Sequence, residues 1–145
     1  MTPRALAGEP EGGTLVAARD AATGRLLADR VALAMTRAAR RKGLLGKDGL
    51  ARGEALWIAP CRGVHTIGMR FAIDVVALDL DGRVIDCVEE MAPWRLRLPR
   101  SGTAGVLELA AGTLAAVGTR IGHVVTFERT RHEAPGTHQA QGTRH

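Results

Sequence analysis

The residues best suited to chemistry gather in one irregular stretch, CRGVHTIGMRF, and the strand that follows it. An imidazole (His65), a hydroxyl (Thr66), a thioether (Met69), a guanidinium (Arg70) and a carboxylate (Asp74) lie close together there. A guanidinium fork matches carboxylate and phosphate oxygens, and an acid beside it can orient either Arg70 or His65. Together these five residues describe the floor of a binding site for a small polar or anionic ligand, or for a protein segment. A purely structural role competes with that reading, because buried acids often satisfy loop amides in β-rich domains.

The position of Asp74 follows from the turn after it. Asp81-Gly82 between two apolar runs is the signature of a two-residue hairpin loop, with positive φ expected at both positions. Counting back from that loop pairs Leu80 with Arg83, Leu78 with Ile85, Val76 with Cys87 and Asp74 with Glu89. Val76, Leu78, Ile85 and Cys87 then form the better core face, and Asp74 shares it. An inward carboxylate left ionised and unpaired is costly, so it needs donors. Arg70, His65, Thr66 and the backbone N–H groups of the glycine-punctuated stretch are the candidates.

Other chemistries find less support. Cys61 and His65 could form a nucleophile and base with Asp74 as third member, but four extended residues span about 13 Å, so the chain would have to coil back. Cys61, His65, Cys87 and His123 show no CxxC or HxxxH spacing, which leaves no metal site or cofactor to expect. Ser101, the single serine, sits in RSGT and not in a GxSxG elbow. Phosphate-binding glycine motifs are absent as well. No catalytic residue is assigned, and the reading leans away from an enzyme.

Positioning these residues is the work of several short strands. Thr14 to Asp20 and Arg25 to Arg30 read as a hairpin around Ala22-Thr23-Gly24, and Thr36 as the N-cap of a helix from Arg37 to about Leu45, stopped by Gly46. Ala55 to Ala59 is a strand ended by Pro60. The hairpin of Asp74 to Val88 follows, then an edge strand in which Trp94, Leu96 and Leu98 alternate with Arg95 and Arg97. Val106 to Leu109, a helical turn after Gly112, and Val124 to Phe127 complete the series. The pattern predicts a mainly β, single-domain sandwich or barrel with one or two short helices. A flexible N-terminus (1–13), one domain (14–130) and a disordered tail (131–145) divide the chain.

The chain has 145 residues, 46% of them hydrophobic and 24% charged, which suits one globular domain with a true core. Its first residues lack a signal-peptide core. The apolar run Val106 to Val117 is broken by Glu108 and falls short of the ~18 residues of a membrane span. Two cysteines without a secretion signal fit reduced thiols in the cytoplasm. The net charge of +5 is mostly scattered arginine, and aromatics are only 3%. That offers thin support for nucleic-acid binding through Arg37 to Lys42 or Arg95 to Arg100.

The pieces RRKGLLGKDGL, CRGVHTIGMRFAIDVVALDLDGRV, PWRLRL and VLELAAGT resemble the bacterial and archaeal family called domain of unknown function 192, over roughly Leu15 to Phe127. The resemblance implies a mainly β, jelly-roll-like fold and no known activity. It marks Gly43, Leu44, Met69, Asp74, Glu108 and Gly112 as motif positions. Relatives often carry Gly-Asp before the last strand, where this chain has Gly122-His123.

Overall fold

The computed structural model describes residues 14–61, 63–98 and 100–131. The expected flexible N-terminus and the tail beyond 131 lie outside the described residues. Among the described residues, nine strands and two short helices follow in the order β1 (Thr14–Asp20), β2 (Leu26–Ala34), α1 (Arg37–Lys42), β3 (Gly53–Ile58), β4 (Val64–His65), β5 (Ile73–Leu78), β6 (Val84–Met91), β7 (Leu96–Arg97), β8 (Gly105–Ala110), α2 (Thr113–Val117) and β9 (Val125–Arg131). The expectation of a mainly β fold with one or two short helices holds.

Seven strands form one sheet in the order β6-β5-β8-β3-β2-β1-β9, and β4 pairs separately with β7. The large sheet curls until its two edge strands approach at one end. Arg83 bridges Val124, and the Val84 N–H donates to the His123 carbonyl at 2.8 Å while the Val125 N–H donates to the Gly82 carbonyl at 2.8 Å. The result is a half-barrel. Only β2 and β3 run parallel within this sheet, which requires a crossover, and α1 lies in it.

Alternation along the central strands sends side chains to two separate cores. Trp57, Val76, Leu78, Leu107 and Leu109 meet Leu114 and Val117 of α2 on one face. On the other, Leu56, Ile58, Ile73, Val75 and Val106 meet Leu44, Met69 and Met91. All six residues of β5 are therefore buried, not only those of the face expected to form the core.

The β5–β6 hairpin departs from the expected loop in an instructive way. Val76 does face Cys87, but Leu78 faces Val84, one residue short of Ile85. The Asp79 carboxylate accepts the N–H groups of Asp81 and Arg83, both at 2.9 Å, and the Gly82 N–H donates to the Asp79 carbonyl. Only Gly82 takes a positive φ (83°), so the turn has three loop residues closed by a glycine bulge and not two. That extra residue turns Val84 into the core and leaves Ile85 half-buried.

Two further expectations are corrected. Helix α1 ends at Lys42, because Gly43 adopts φ 48° and ψ −127°, a conformation suited to glycine, and Leu44 then turns down into the core. In β7 the apolar residues point outward: Leu96 is 67% exposed, while Arg97 reaches inward to Asp86. Paired charge, more than side-chain polarity, decides which face of this two-residue strand is covered.

Candidate functional site

A cavity of about 190 Å³ opens between the C-terminal half of α1 and the sheet face that carries the second core. Thr36 sets the start of α1 by accepting the Ala39 N–H at 3.1 Å, and the stop at Gly43 brings Arg40, Arg41 and Lys42 to the cavity rim. Its walls are Leu45, Ile58, Val64 and Met69, with Cys61 and His65 among them. Glu108 of β8 forms the floor.

Glu108 stands on this face because it is two residues from Val106 on the same strand, directly opposite Leu56 of β3 and Val75 of β5. It is only 3% exposed. None of the hydrogen bonds or ion pairs among the described residues reaches its carboxyl group, and burial pushes its pKa up to about 7. Such a group is costly to ionise where it stands.

The thiol of Cys61 donates to the Gly63 carbonyl at 2.8 Å. Burial, with the Glu108 charge adding to it, raises the thiol pKa above its ordinary value. That is the opposite of what activates a nucleophile. Arg40 spends one N–H on the Met35 carbonyl at 3.0 Å, whereas Arg41 and Lys42 are exposed.

The five residues singled out from the sequence separate into four environments. His65 and Met69 line the cavity, His65 exposed on β4 and Met69 6% exposed beneath the loop. Thr66 is fully buried and pins a turn: its hydroxyl donates to the Ala92 carbonyl at 2.6 Å and accepts the Arg95 N–H at 2.9 Å. Arg70 pairs at 2.7 Å with Asp48, both largely exposed. Asp74 is fully buried, and its oxygens accept the N–H groups of Glu90 and Leu114, each at 2.8 Å. Asp74 thus shares no hydrogen bond with Arg70, His65 or Thr66.

Two features escaped the sequence reading as site elements. Glu108 was visible as a lone acid in VLELA, where strand alternation places it among apolar neighbours. The second is Asp20, fully buried, which accepts the Thr119 hydroxyl at 2.8 Å and lies 2.9 Å from Nδ1 of His123. Burial works to raise the Asp20 pKa, but the bonds from His123, Thr119, Ala22 and Thr23 together hold it below its ordinary value. Nothing adjacent to the sequence position of Asp20 announces partners that distant.

The fold and cavity define a small β half-barrel with a largely buried acid at the base of a basic-rimmed opening. The chain belongs to the DUF192 family, described as "Uncharacterized ACR", whose model matches residues 18–127. Among solved structures it is similar to a protein of unknown function from Novosphingobium aromaticivorans DSM 12444, at 25% identity and a TM-score of 0.65, over 87% of this chain and 98% of that one. A second, titled a "putative transcription regulator", from Sinorhizobium meliloti 1021, is 22% identical with a TM-score of 0.67, over 83% and 98% of the two chains. No curated protein matches the chain.

Proposed function

We propose that this protein is a non-enzymatic binding domain that holds a small polar ligand in the cavity between α1 and β8. One observation carries the reading: Glu108, a residue only 3% exposed, turns its carboxyl to the cavity and has no hydrogen-bond partner among the described residues. The buried side-chain atom left without a partner among the described residues is Trp57 Nε1, so the Glu108 oxygens are reachable from the cavity, where a ligand carrying hydrogen-bond donors would meet them. His65 and Met69 contribute to the wall. Thr66 and Asp74 hold the surrounding loops, and Arg70 stands outside the opening with Asp48.

The enzyme alternative at Cys61 is weakened by its protonated, hydrogen-bonded thiol. Both cysteines are unpaired, which supports a reducing, cytoplasmic setting, and no helix of the described residues is long and apolar enough to cross a membrane.

A thermal-shift screen over small metabolites, followed by Glu108→Gln and Met69→Trp, tests the proposal. Hits should lose their shift in at least one of these folded variants. If every hit stabilises both variants as it does the wild type, the cavity is not the site.

A further inference from the structure

We infer that the occupant is a small zwitterion, with a primary ammonium group held by Glu108 and an anionic group held at the α1 rim by Arg40, Arg41 and Lys42. This rests on the cavity being the binding site and goes on to name the class of ligand.

The inner end must donate hydrogen bonds. Around Glu108 the walls are apolar, and the Cys61 thiol is committed to the Gly63 carbonyl. The other donors that line the cavity, His65 and the α1 cations, make no hydrogen bond to the carboxyl group, which leaves it open to a partner from the ligand. A cation does this best, since it also offsets the charge of the ionised form.

The outer end has the opposite character. Neither Arg40, Arg41 nor Lys42 has a carboxylate partner among the described residues. Three cations ring the mouth while one acid lies at the base, and a ligand that complements both is cationic within and anionic without. Between them the apolar wall suits a short methylene chain. At about 190 Å³ the cavity has room for about six water molecules at ~30 Å³ each, which limits the occupant to a compact molecule.

Binding should depend on pH. The titratable and charged groups facing Glu108 are Cys61 from the loop before β4, His65 from β4, and the three cations of α1; β3 and β5 present only Leu56, Ile58 and Val75. An ammonium ligand favours the ionised acid, so below the Glu108 midpoint of about 7 binding must expel a proton. Affinity therefore rises with pH up to that midpoint and then levels.

Calorimetry and NMR on the full chain with δ-aminovalerate, n-pentylamine and valerate form the test. The zwitterion should bind about tenfold or more tightly than either single-charge probe. Glu108→Gln should abolish the preference for an amine, and the double variant Arg41→Gln, Lys42→Gln should weaken δ-aminovalerate while leaving n-pentylamine unchanged. Valerate binding as tightly as δ-aminovalerate would overturn the ligand class and leave the cavity reading intact. Should none of the three probes, nor any compound of the wider screen, perturb cavity resonances, both readings fall.

Discussion

The carboxylate of Asp74 on β5 accepts the Leu114 N–H at 2.8 Å, so the central sheet caps a helix forty residues away in the chain. Gly112, the residue at the N-cap of α2, has no side chain to do this, and Asp74 replaces it. Its other oxygen holds the Glu90 N–H in a bulge where Glu90 has φ 50°. Asp74→Ala leaves both amides without acceptors and should cost about 2–4 kcal/mol, with Asp74→Asn costing about half as much. Urea denaturation followed by circular dichroism measures both.

Asp86 and Arg97 form a two-point ion pair, with Nε and Nη2 donating at 2.9 and 2.8 Å, and it fastens the β4–β7 ribbon to β6. Hydrogen bonding from Arg97 holds the Asp86 pKa below its ordinary value despite burial. For an acid depressed on folding, the stabilisation is present above the unfolded pKa of about 4 and is lost as pH falls through the folded value. Arg97 is 41% exposed, so solvent screening limits the effect: Arg97→Ala should cost about 1–2 kcal/mol at neutral pH. Its thermal melts should also converge on those of the wild type at the acid end of a pH series.

These two carboxylates show how far the sequence could be read. Counting back from Asp81-Gly82 correctly buried Asp74, because the Val76–Cys87 pairing survives and strand alternation is local. Its true partners were not legible: Leu114 approaches because β8, which leads into α2, pairs beside β5 with Ala110 opposite Ile73, a long-range pairing that no pattern near Asp74 encodes. The turn itself was misread because the Asp79 side chain competes for the Asp81 and Arg83 amides and adds a loop residue. Leu96 and Arg97 exchanged faces for a similar reason, since an ion pair with Asp86 outweighs the apolar pattern over two residues. His65 and Met69 did reach a cavity, while its floor, Glu108, was legible only as an acid breaking an apolar run.

A steric prediction concerns Gly105 on β8. A β-carbon there would run into the Trp57 indole at two ring atoms and lie 2.8 Å from the Ile58 carbonyl. Trp57 is fully buried and stacks at a tilt on Phe127 with ring centroids 5.3 Å apart, so it has no room to move aside. Gly105→Ala should cost about 3 kcal/mol. A lowered melting temperature and a changed Trp57 emission spectrum check this, whereas Gly102→Ala, which meets nothing within 4 Å, tests the strain of its φ of 88° alone.

Glu108 should make the free protein less stable as pH rises. Between its ordinary 4.5 and its folded value of about 7, the folded chain keeps a proton that the unfolded chain releases. Stability declines across that window, and the penalty is complete above it. Glu108→Gln removes the slope and should raise stability by about 1–3 kcal/mol near pH ~8, with little gain below pH ~5. Denaturation midpoints across pH measure the difference.

The most direct measurement is the titration of the Glu108 side-chain carboxyl carbon by NMR in the ligand-free protein, repeated with saturating δ-aminovalerate. A midpoint near 7 that falls once the amine is bound is the predicted result. A midpoint near the ordinary 4.5, unmoved by the amine, would contradict it, because the acid would then already have its partner within the protein.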